Sequence, residues 1–171
     1  MKRGTTMTSF QTWRRTFQQQ RMPAWDELPD LELYMDQVIS KVNQYLDPIL
    51  QTQITKTMIN SYVKKELVER PVKKRYTRNQ LAELLMISFY KTVFSLDEIQ
   101  KMLTRMTAHQ PLEAAYSHWI ELVNAELSAL DKPTELPSET PSLQMSQQIA
   151  IRTVLYKLVS TALIQVDPQS N

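Results

Sequence analysis

The sequence predicts an all-α fold of about six helices, and three observations carry that prediction. Only one glycine, Gly4, occurs in 171 residues, so the positive-φ turns that most hairpins use are scarce and a large sheet is not expected. Apolar residues recur at three-to-four spacing in six separate segments. Two capping boxes, Thr77-Arg78-Asn79-Gln80 and Ser95-Leu96-Asp97-Glu98, mark helix starts by letting an N-cap hydroxyl and an N3 side chain satisfy each other's free backbone amides.

The elements follow in chain order. Residues 1–25 are polar and basic, with a Gln18-Gln19-Gln20 run, and read as a disordered tail; Phe10, Trp13 and Phe17 would nevertheless share one helical face opposite Arg14 and Arg15. A first helix is expected from Asp30 to about Leu46, with Leu31, Met35, Val38, Val42 and Tyr45 or Leu46 facing inward and Asp47-Pro48 ending it. Thr55 then caps a second helix over about 55–66, with Ile59, Tyr62 and Val63 inside. Pro71 stops it, and 69–76 forms a loop or a minimal two-stranded wing. The third helix, from Thr77 to about Val93, is apolar nearly all round and belongs at the centre. The fourth runs from Ser95 to about Met106, the fifth over 111–130 and the sixth over 142–166. Between the last two, Pro133, Pro137 and Pro141 require a linker. The sixth helix carries a wider apolar stripe than one neighbour needs, which makes it a dimerisation candidate. Three regions result: a basic tail 1–25, a helical domain 26–106 and a C-terminal helical pair 107–171 for dimerisation or an effector.

Composition excludes several function classes. Without cysteine there is no disulfide, thiolate metal site or thiol switch. Glycine-rich phosphate and dinucleotide loops are absent. The longest apolar run, Leu84 to Ile87, is far short of the roughly 20 residues that span a bilayer, and no apolar segment follows the basic start, so a cytoplasmic protein without a membrane anchor is expected. His109 and His118 are nine residues apart, and His118 with Glu121 makes at most half a metal site. No nucleophile or acid–base constellation is visible; neither an enzyme nor a cofactor is expected. Tyr116, Trp119 and Tyr156 would line a pocket between the last two helices or, more simply, pack as core.

Charge is segregated. Residues 56–78 hold eight cations against Glu66 and Glu69, a net of +6, and residues 1–25 hold +5, leaving −9 for the rest of a chain whose formal total is +2. Such a basic block suits a polyanion. Lys56, Thr57, Asn60, Ser61 and Lys64 point away from the inner stripe of the second helix, and Asn, Ser, Thr and Lys are side chains that read base edges. Lys73, Lys74 and Arg75 beside Tyr76 suit phosphates, which position a protein without specifying sequence.

The run Ile54 to Leu103 resembles the DNA-binding region of the MerR-type regulators. The likeness rests on Thr55-x-x-x-Ile59-x-x-Tyr62, on Leu67-Val68-Glu69-Arg70-Pro71, on Lys74-Arg75-Tyr76-Thr77 and on Phe94-Ser95-Leu96-Asp97-Glu98-Ile99. More narrowly, Trp25-Asp26-Glu27-Leu28-Pro29 with Leu33-Tyr34-Met35-Asp36-Gln37-Val38 and Met58-Ile59-Asn60-x-Tyr62-Val63-Lys64 is similar to the YkrK-like domain-of-unknown-function family of Gram-positive bacteria, over about 25–130. The first resemblance implies a MerR-like winged helix-turn-helix transcription regulator that binds double-stranded DNA as a homodimer. Thr57, Asn60, Ser61 and Lys64 would face the major groove while Tyr62, Lys73, Lys74 and Arg75 hold backbone. The sequence departs from that pattern in a shortened wing without a glycine at its tip. A protein-interaction adaptor that kept the scaffold and lost DNA binding is the alternative.

Overall fold

The computed structural model describes residues 9–132 and 142–165. Among these the protein is all-α apart from two short strands, in the order α1 (Phe10–Gln18), a 3₁₀ turn Trp25–Glu27, β1 (Leu33–Tyr34), α2 (Met35–Leu50), α3 (Lys56–Lys64), β2 (Arg75–Tyr76), α4 (Arg78–Tyr90), α5 (Leu96–Thr107), α6 (Leu112–Ser128) and α7 (Leu143–Gln165).

Helix α4 is the centre, as its all-round apolar sequence requires: nine of its residues are buried, from Gln80 to Tyr90. Helices α2, α5, α6 and α7 pack around it, and α7 lies chiefly on α6. One core runs without a break from Phe17 through Met106 and Trp119 to Leu155. Its aromatic heart is Phe89, Tyr90 and Trp119: the Trp119 indole N–H donates to the Tyr90 hydroxyl at 3.0 Å and its ring meets Phe89 edge-on at 5.4 Å. Both capping boxes form where the sequence places them, at Thr77 with Gln80 and Ser95 with Glu98.

Three expectations are corrected. Residues 10–18 are a helix, not a structureless tail; Ser9 caps it, Phe10, Trp13 and Phe17 stack in series, and Phe17 is buried. The chain beyond it is fixed by Met22, whose N–H donates to Asn124 Oδ1 at 2.8 Å. Residues 1–8 of the expected tail lie outside the described residues, as do 133–141 of the expected linker. The helix expected from Asp30 starts five residues later, because Leu33–Tyr34 is a strand, and Leu31 is 75% exposed. That helix also continues through Pro48 to Leu50. Proline removes one helical N–H, but its side of the helix is solvent-facing while Ile49 and Leu50 are buried, so their burial outweighs the lost bond. Residues 69–76, expected as a loop or a minimal two-stranded wing, take the two-stranded form, with a further strand partner before α2. Val72 and Arg75 bridge across a tight turn, and β2 pairs antiparallel with β1, Leu33 opposite Tyr76 and Tyr34 opposite Arg75.

Candidate nucleic-acid interface

Helix α3 begins at Thr55, whose hydroxyl accepts the Met58 N–H. Its inner positions Ile59 and Tyr62 are buried, while Lys56, Thr57, Asn60 and Lys64 are exposed on the outside and Ser61 is half-buried. Two clamps fix its ends. Before it, Asn43 of α2 grips Ile54 with both amide atoms, accepting the Ile54 N–H at 2.7 Å and donating to the Ile54 carbonyl at 3.2 Å. After it, the N–H groups of Glu66 and Leu67 bond back to the carbonyls of Val63 and Tyr62, a Schellman motif with Glu66 at φ 60° where glycine is usual. The following segment is held by Gln80, which is buried and spans two bonds: its Oε1 accepts the Thr77 N–H at 2.7 Å and its Nε2 donates to the Glu69 carbonyl at 2.9 Å.

The hairpin places Lys73 and Lys74 at its tip. Both have positive φ, 49° and 64°, and the Arg75 N–H closes the turn on the Val72 carbonyl at 2.9 Å, the pattern of a type I′ turn made without glycine. Lys56, Lys64, Lys65, Arg70, Lys73 and Lys74 make no ion pair among the described residues.

Two of the expected contact residues sit differently. Tyr62 is 2% exposed; its ring belongs to the core, its hydroxyl is buried without a hydrogen-bond partner, and burial pushes that hydroxyl's pKa up. It is therefore a packing residue that does not reach a backbone phosphate. Arg75 is exposed but engaged, 3.6 Å from the Glu32 carboxylate and 5.5 Å above the Tyr34 ring. Arg78 is likewise turned inward, over the Trp25 ring and donating to the Pro29 carbonyl. Sequence reasoning left Lys65 and Arg70 out of the contact set although both are exposed beside it; their place in the +6 block was the available signal.

Glu83 on α4 lies against the backbone of Glu69, in the segment after α3. Desolvation, then the nearby Glu69 charge, raises its carboxyl from 4.5 to about 7, while the Glu69 backbone N–H pulls the other way. Elsewhere the chemistry is sparse. No group of three or more His, Asp or Glu side chains that would hold a metal occurs among the described residues. Tyr116 and Trp119 are fully buried core aromatics, whereas Tyr156 is exposed on α7, so the three do not converge on one pocket. No described helix is long and apolar enough to cross a membrane.

A family model described as "Domain of unknown function (DUF1836)" matches residues 23–119, from just before the 3₁₀ turn to the middle of α6. No curated protein and no solved structure matches the chain.

Proposed function

The chain belongs to the DUF1836 family, and from that premise we propose that it is a DNA-binding transcription regulator with a MerR-like winged helix-turn-helix, in which α2 and α3 form the helix pair and the Val72–Arg75 hairpin is the wing. The observation that carries this reading is the pairing of chemistries on two exposed elements that are each clamped in place, α3 by Asn43 and its Schellman end and the segment before α4 by Gln80. Helix α3 exposes Lys56, Thr57, Asn60 and Lys64, and the hairpin tip exposes Lys73 and Lys74. All of these lie inside the family match. Asn60 is the candidate base reader, with Thr57 and the half-buried Ser61 flanking it. The lysines take phosphates. A homodimer would present two such faces, and Leu163 and Ile164, exposed on α7, supply apolar surface for its formation.

The test is binding to duplex DNA as a function of salt, followed by selection of bound genomic fragments. With about five phosphates neutralised per protomer, log K should fall against log salt with a slope of roughly −4 to −5. Lys74→Ala should weaken binding to all sequences and reduce that slope by about 1, whereas Asn60→Ala should cost affinity only on the selected sites. Absence of duplex binding at about 100 mM salt would sink the proposal in favour of the adaptor reading, in which the same basic face docks an acidic protein.

A further inference from the structure

The turn between α2 and α3 is an arch with a cleft beneath it. One foot is Gln51, held at φ 54° at the end of α2; the other is Ile54, gripped by Asn43. Between them Thr52 and Gln53 stand exposed. The cleft encloses about 280 Å³, with apolar walls from Leu46, Leu50, Ile54 and Met58. Its floor is the end of α4 and the turn that follows, where Ser88, Lys91 and Thr92 line it. Lys91 is exposed and makes no ion pair among the described residues. The Ser88 hydroxyl is buried with no hydrogen-bond partner. A second cleft, of about 240 Å³, adjoins this one across Leu50 and Thr52.

We propose that the cleft is a binding site for a medium-chain aliphatic carboxylate, its headgroup on the Lys91 ammonium and the Ser88 hydroxyl and its chain against Leu46, Leu50, Ile54 and Met58. The lining selects this class. Its only charged side chain is a cation, so an amine finds no counterion there. Thr52, Gln53 and Thr92 complete the lining as neutral polar groups, and the leucine, isoleucine and methionine walls favour an anion that carries an apolar chain over a small hydrated one. The volume lies near the lower end of small-ligand pockets, enough for a chain of about eight carbons. This site does not depend on the DNA-binding reading, because no residue assigned to DNA contact lines it.

Calorimetric titration of the full chain with octanoate, hexanoate, octylamine and octanol tests it. Octanoate should bind at one site per chain, about tenfold more tightly than hexanoate because two buried methylenes are lost. Octylamine should not bind. Lys91→Gln should weaken octanoate about tenfold and leave octanol unchanged. Lys91→Glu should exchange the preference, admitting octylamine and rejecting octanoate; since Lys91 is exposed, neither change disturbs the core. Met58→Trp should fill the cleft and abolish octanoate binding, and if that variant does not fold, the Lys91→Glu exchange decides. The proposal is overturned if octanoate shows no saturable site, if octylamine binds the unaltered chain as well as octanoate does, or if octanoate binds Lys91→Glu undiminished.

Discussion

Residues 51–76 and residues 77–128 solve the same problem, holding short helices without glycine, in opposite ways. All four positive-φ residues in the described chain, Gln51, Glu66, Lys73 and Lys74, fall in the first stretch and none in the second. The second stretch starts α4 and α5 with reciprocal caps at Thr77 and Ser95, and the α4–α5 turn is closed by bonds from Val93 and Phe94 back to the Tyr90 carbonyl. The left-handed region costs a non-glycine residue roughly 1–2 kcal/mol. That cost is confined to the stretch that carries the exposed lysines, and the unstrained stretch supplies the core that sustains it. Strain gathered in one segment is a common mark of a functional one.

The comparison breaks most sharply at the core side. Trp119 is fully buried, packs edge-on to Phe89 and donates to the Tyr90 hydroxyl. Trp119→Ala should therefore cost about 4 kcal/mol through lost contacts and a cavity, lowering the urea midpoint of the whole chain. No single change in residues 51–76 made on an exposed position should approach that loss.

Next in size is Glu83, where the core helix meets the strained segment. Its carboxyl is raised from 4.5 to about 7, so in that interval the folded state holds a proton that the unfolded state has released. Stability is therefore highest below pH 4.5 as far as this group is concerned and is lost as pH rises through about 7, a change of about 3 kcal/mol. Glu83→Gln should erase that slope and raise stability above pH 7 by a similar amount, measured as urea unfolding across the interval. Glu27 acts in the opposite sense at lower pH. The Arg21 side chain first, then the Ala24 N–H, lowers its carboxyl to about 2, so its contribution is lost as pH falls from 4.5 toward 2.

Third is Gln80, the side chain that ties the two stretches together. Gln80→Ala leaves the Thr77 N–H and the Glu69 carbonyl without their partners at 2.7 and 2.9 Å. The expected cost is about 2 kcal/mol, with faster amide exchange at Arg75 and Tyr76 if the hairpin is anchored through this residue.

These contrasts also explain what could be read from the residues alone. The helical architecture was legible, because its signals are local: Thr55, Thr77 and Ser95 each lie one position before the helix they cap, and the apolar run of α4 announces its burial. The outward set Lys56, Thr57, Asn60 and Lys64 followed from the same periodicity. What escaped is long-range or disguised. Helix α1 carries a basic, polar composition and is held by Phe17 against helices more than a hundred residues away. The β1–β2 pair joins Leu33 to Tyr76. The stops at Gln51 and Glu66 use residues with no turn signal, and Tyr62 was assigned two incompatible duties, of which the inward one is observed.

The smallest effect is the most discriminating, because the same substitution should have opposite signs in the two stretches. Glu66 occupies the C′ position of a Schellman motif at φ 60°, where glycine carries no Cβ penalty. Glu66→Gly should stabilise by about 0.5–1 kcal/mol, the relieved strain exceeding the extra backbone entropy of glycine in the unfolded chain. Glu121 is an equally exposed glutamate inside α6, where the backbone is already helical. There Glu121→Gly gains no relief and should lose about 0.5–1 kcal/mol. Paired thermal melts of the two variants read the difference directly. If both destabilise, Glu66 is not strained, and the concentration of strain in residues 51–76 loses its best-defined member.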